Sequence, residues 1–103
     1  MPYMVIESFR NRDVAAVYRR FREKGRMLPE GLKYVDSWVD VNRCRCFQLM
    51  ECAEAALFQK WVACWNDLVD FEIVAVHSSK EVAAGYESEI NNSDDPTPRR
   101  GLE

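Results

Sequence analysis

Apolar positions recur along this chain with two different periods, and the changes from one period to the other mark out its elements. Residues 3–9, Tyr-Met-Val-Ile-Glu-Ser-Phe, are β-branched and aromatic with a single charge, which predicts a central strand. Asp13 stands where a helix cap is expected. Val14, Val17, Tyr18, Phe21 and Leu28 then recur at helical spacing, opposite Arg19, Arg20, Glu23 and Arg26. This amphipathic helix of about four turns is expected to end at Pro29 and Gly31. Residues 32–41 alternate with period two, Leu32, Tyr34, Asp36, Trp38 and Asp40 on one face and Val35, Ser37, Val39 and Val41 on the other. Asn42-Arg43 reads as a tight turn, followed by a return strand over 44–52. Leu57, Trp61, Cys64, Trp65 and Leu68 place a second helix over 54–68, and 70–77 read as a fourth strand. Ser78 with Glu81 three positions on is a capping box that opens a short helix through about Tyr86.

The order strand, helix, strand, strand, helix, strand predicts an α+β fold of the ferredoxin-like βαββαβ plan. It has a four-stranded antiparallel sheet with both long helices on one face. The other sheet face then needs a cover. The expected open row is Tyr34, Asp36, Trp38, Cys46, Gln48 and Met50 from the hairpin, with Val5, Glu7 and Phe9 from the first strand and Glu72, Val74 and Val76 from the last. Val35, Val39, Phe47 and Leu49, with Phe71, Ile73 and Ala75, are the expected helix-facing set. An open face carrying Trp, Tyr and Met beside polar groups predicts an interface or ligand site. Two copies packed sheet to sheet as a dimeric α/β barrel would enclose a cavity there.

Length and charge narrow this picture. The 103 residues suit one domain, here 1–90, and are too few for a (β/α)8 barrel or a full dinucleotide-binding fold. Residues 10–26 hold a local balance of +5, while the rest of the chain stands at −8, so the net charge of −3 opposes non-specific attraction to nucleic acid. No RNP motif or phosphate-cradling glycine loop is present, and no apolar run approaches a membrane span. The N-terminus lacks the basic start of a signal peptide, which predicts a cytoplasmic protein with reduced cysteines. Residues 91–103 are Asn, Ser, Asp, Pro, Thr and Arg in large part and read as a disordered tail, with Leu102-Glu103 as a cloning remnant.

Four separated blocks occur in order: Met4-Val-Ile-Glu7-x-Phe9, then Gly25-Arg-Met-Leu-Pro-Glu-Gly-Leu-x-Tyr34-Val-Asp36-Ser-Trp38, then Cys46-Phe-Gln-Leu-Met-Glu51, then Trp65-x-Asp-Leu-Val-x-Phe71-Glu72-Ile-Val. Over about residues 3–80 the chain thereby resembles the DUF3303 family of small bacterial proteins. The resemblance implies a dimeric α/β barrel. Similar small proteins are encoded in gene clusters for prodigiosin-type pigments, which implies an accessory role in secondary-metabolite biosynthesis. It transfers no catalytic residue, and Cys44, Cys64 and the tail lie outside its pattern.

The candidate chemistry is carboxylate chemistry. Glu7, Asp36 and Glu72 are candidates for a general acid or base in a semi-apolar cavity, Asp36 foremost because Tyr34 and Trp38 flank it. Tyr34, Asp36, Trp38, Gln48, Met50 and Glu7 are the candidate ligand-binding set, the aromatics stacking on a planar molecule and Gln48 orienting a carbonyl. Packing and cross-strand hydrogen bonds are the plain alternative for each. Cys44 and Cys46 share a strand face with Cys52, but the spacing is wrong for zinc and a fourth ligand is missing, so neither metal nor cofactor is expected. His77, the single histidine, has no partner for nucleophilic catalysis and is expected to hydrogen-bond at a strand end. The leading expectation is a homodimeric accessory protein that binds a planar, mostly apolar metabolite. Its rivals are a cofactor-independent enzyme (monooxygenase, isomerase or cyclase) and a purely structural interaction module.

Overall fold

The computed structural model describes residues 1–91, with the side chains of all but 88, 90 and 91. Its strands are β1 (Pro2–Phe9), β2 (Lys33–Val39), β3 (Arg45–Glu51) and β4 (Val69–Ala75), and its helices α1 (Val14–Lys24), α2 (Leu57–Ala63) and α3 (Ser79–Asn91). The sheet order is β2-β3-β1-β4 with every neighbouring pair antiparallel, which is the ferredoxin-like arrangement of an α+β fold. The tail expectation falls on 92–103, outside the described residues, while Asn91 ends α3.

Local chemistry sets most boundaries. Asp13 caps α1 by accepting from the Ala16 amide at 3.1 Å. α1 ends at Gly25, earlier than Pro29, because Gly25 (φ 67°, ψ −160°) takes a backbone state nearly closed to other residues. Ser78 accepts from the Glu81 amide at 3.1 Å and opens α3, which runs past the expected Tyr86. α2 is shorter than the expected 54–68, since the turns on either side close with three-residue hydrogen bonds such as Phe58 to Ala55 and Trp65 to Val62. The hairpin is joined by residues 40–44, with the left-handed residue at Arg43 (φ 60°) and the Asp40 carboxylate accepting from the Cys44 amide.

The core lies between the sheet and α1 and α2. Val5, Met50, Phe58, Trp61 and Trp65 form its centre, and Phe9, Cys46 and Val69 extend it toward one end. Tyr3, Phe58, Trp61 and Phe71 stack edge-on in a chain of ring contacts.

Candidate functional site

The sheet register corrects the expected faces. Val5, Glu7 and Phe9 are buried toward the helices, and so are Cys46, Gln48 and Met50. Phe47 and Leu49, expected inside, lie instead on the open face with Met4 and Ile6. In β2 a bulge between Tyr34 and Asp36 breaks the alternation. Tyr34 pairs with Met50, and Ser37 and Val39 pair with Gln48 and Cys46 on the helix side. Asp36 and Trp38 pair with Leu49 and Phe47 on the open side. One extra residue in β2 therefore splits the row of Tyr34, Asp36 and Trp38 between two faces. In β4 the expected faces hold: Phe71 and Ile73 pack into the core, and Glu72 and Val74 are exposed.

A cavity of about 280 Å³ opens between the helix side of the sheet and α1, not on the open face. Glu7, Cys46 and Gln48 are its buried polar floor; Phe9, Val17, Trp61 and Trp65 form its walls. The rim carries three exposed apolar side chains, Tyr18, Phe21 and Val39, with Arg26 and Ser37 beside them.

At the floor the Gln48 Nε2 donates to Glu7 Oε1 at 2.5 Å. Burial pushes the Glu7 carboxyl above its ordinary value, and the hydrogen bonds from Gln48 and Cys46, with the more distant Arg26 charge, offset this only in part. The Cys46 thiol is pushed up to about 12, first by burial and then by the Glu7 charge, so it is a protonated donor and not a nucleophile. Because the amide nitrogen of Gln48 faces the carboxylate, Gln48 Oε1 points the other way. It is buried and has no hydrogen-bond partner among the described residues.

Arg26 borders this cavity under unusual constraint. Its guanidinium carbon lies 3.6 Å from the Tyr34 ring centroid and 5.0 Å from that of Phe21. Its carbonyl accepts from the indole nitrogens of Trp61 at 2.9 Å and Trp65 at 3.1 Å. Gly25 and Met27 on either side both have positive φ, 67° and 58°.

Of the expected site residues, the structure brings Glu7 and Gln48 into direct contact. Tyr34 stands beside them through Arg26, and its hydroxyl shares a 2.6 Å hydrogen bond with Ser37 Oγ. Asp36, Trp38 and Glu72 are exposed on the open face, away from the cavity, and the Asp36 carboxylate accepts from the Ser37 amide at 2.8 Å. Met50 is fully buried in the core without lining the cavity. Arg26, Trp61 and Trp65 escaped sequence reasoning: the arginine resembles its solvated helix neighbours, and the indoles fit a core stripe. The one legible signal was the lone charge of Glu7 between Val5 and Phe9. His77 Nδ1 stands 3.5 Å from Glu81 Oε2 at the exposed start of α3. All four cysteines are free thiols, and among the described residues no cluster of His, Cys, Asp or Glu is placed to hold a metal ion. No helix among them is long and apolar enough to cross a membrane.

A family model described as a domain of unknown function (DUF3303) matches residues 1–89. No curated protein and no solved structure matches the chain.

Proposed function

The chain belongs to the DUF3303 family, a domain of unknown function, and from that premise we propose that it binds a small, mostly apolar planar molecule in the cavity beneath α1. The observation that carries this reading is Gln48 Oε1, a buried acceptor without a partner, aimed away from Glu7 in a site otherwise walled by rings. Leaving such an acceptor unpaired costs roughly 1–3 kcal/mol, which a ligand N–H or O–H would recover. The volume of about 280 Å³ lies at the small end of ligand pockets and suits one or two fused rings.

The test uses 2-naphthol against 2-methoxynaphthalene, which lacks the donor. Binding is followed on the three indole N–H resonances of the full chain. Naphthol should shift the signals of Trp61 and Trp65 and leave Trp38 in place, and it should bind about tenfold tighter than its methyl ether. Gln48→Leu should erase that preference. Equal binding of the two probes, or no shift at Trp61 and Trp65, would refute the reading.

A second reading is cofactor-independent catalysis, favoured by Glu7, a buried carboxylate with a raised pKa on the cavity floor. It takes Glu7, not Asp36 or Glu72, as the proton acceptor. It predicts exchange of the C1 hydrogen of bound 2-naphthol with solvent deuterium in the natural chain and none in Glu7→Gln; equal exchange in both would dismiss it.

The open sheet face supports a homodimer. Glu72, Ile6, Phe47 and Trp38 line up across all four strands, as do Val74, Met4, Leu49 and Asp36. Trp38 is 52% exposed. A two-fold pairing would bury this apolar ladder against itself. We place the dimer in the cytoplasm, with reduced thiols, as one domain over 1–90. For a role in secondary-metabolite biosynthesis the support is the resemblance to proteins encoded beside pigment genes.

A further inference from the structure

Arg26 lines the cavity yet makes no ion pair with any described residue. Glu7 is near enough to feel its charge but beyond ion-pair distance. Two features oppose the view that Arg26 is an ordinary surface arginine. Its guanidinium carbon sits over the Tyr34 ring at 3.6 Å from the centroid, so the group is held against that ring before any ligand arrives. Its backbone is anchored by two indole donors and flanked by two residues of positive φ, one of them Met27, where the left-handed state is strained. The chain thus holds one guanidinium at the border of a cavity lined also by Gln48, whose Oε1 is buried and unpartnered.

Resting on the small-molecule reading, we propose that the ligand class is an aromatic acid. Its carboxylate meets the Arg26 guanidinium, its ring lies among Phe9, Val17, Trp61 and Trp65, and an O–H or N–H at its far end donates to Gln48 Oε1. A guanidinium fork matches a planar carboxylate. Among the described residues Arg26 is the single cationic side chain lining the cavity, and one guanidinium matches a monoanion better than a phosphate dianion.

The test compares 6-hydroxy-2-naphthoate with 2-naphthol on the full chain near neutral pH. The acid should bind the natural chain about tenfold tighter than the naphthol, as a charge-assisted contact requires. In Arg26→Gln the ratio of the two affinities should fall to about one, and in Arg26→Lys, which keeps the charge without the fork, to an intermediate value. A ratio near one in the natural chain overturns the assignment. An unchanged ratio in a folded Arg26→Gln does the same. Should Arg26→Gln fail to fold, the natural-chain ratio and Arg26→Lys decide. If 2-naphthol itself does not bind, the small-molecule reading fails together with this one. If it binds and the acid gains nothing, only the aromatic-acid assignment fails.

Discussion

Glu7 and Asp67 show how the same side-chain chemistry acquires opposite signs. The Arg20 guanidinium grips Asp67 through two hydrogen bonds, at 2.6 and 2.7 Å, and holds its carboxyl at about 2. A lowered pKa contributes stability above the ordinary carboxylate value and loses it as pH falls through the folded value, so this contribution should fade between about pH 4 and 2. Glu7 has the reverse sign. Its raised pKa means that, above the ordinary value of 4.5 and below the folded value, the folded chain holds a proton that the unfolded chain has released, so stability falls as pH rises through that window. Urea unfolding across pH should show both limbs. Asp67→Asn should flatten the acid limb, and Glu7→Gln should flatten the decline above it; a Glu7→Gln profile parallel to that of the natural chain above pH 4.5 would contradict the buried carboxyl. The site carboxylate was legible from its place between Val5 and Phe9 in an apolar strand. Its partner contacts were not, because Cys46 and Gln48 are some forty positions away and reach it only through the β1–β3 register.

Among the elements, β2 decided the most. Strict alternation placed Tyr34, Asp36 and Trp38 together, and a single bulge separated them. Deleting Val35 should leave Tyr34 opposite Met50 and Asp36 opposite Leu49 in unbroken alternation, so Tyr34 stays on Arg26 and Trp38 on the open face. The expected result is a stability within about 1 kcal/mol of the natural chain, read from thermal or urea unfolding, since Val35 itself is exposed. A much larger loss would show that Val35 does more than shift the alternation. The Gly25 turn carries the second element-scale prediction. At φ 67° and ψ −160° an alanine is strained, although a Cβ there meets nothing within 4 Å. Gly25→Ala should therefore cost about 1–3 kcal/mol through backbone strain alone and weaken binding by displacing Arg26. A neutral substitution would remove the case that this turn is constrained.

For the whole molecule the question is what covers the open face. Its apolar residues are Met4, Ile6, Trp38, Phe47, Leu49 and Val74, a more hydrophobic set than the sequence had suggested. Light scattering should give about twice the 12.0 kDa chain mass. Trp38→Glu with Phe47→Lys should yield a monomer that still binds 2-naphthol, since the cavity lies on the opposite side of the sheet. A natural chain that scatters as a monomer would leave the ladder exposed and end the dimer proposal, while the cavity reading would stand. A monomeric double variant that loses naphthol binding would tie the two together and contradict the separation of faces described here.

Local chemistry by itself determined the element order, the Asp13 and Ser78 caps and the antiparallel plan, and it marked Glu7 and Gln48 as candidates. These follow from periodicity and from side chains acting within a few residues of themselves. Only the tertiary structure decided which face each strand shows, because period-two patterns are unchanged when every residue is turned over and the strands are apolar on both sides. It also decided that Arg26 borders the cavity, since that needs Tyr34, Trp61 and Trp65 brought from two other segments to hold one residue in place.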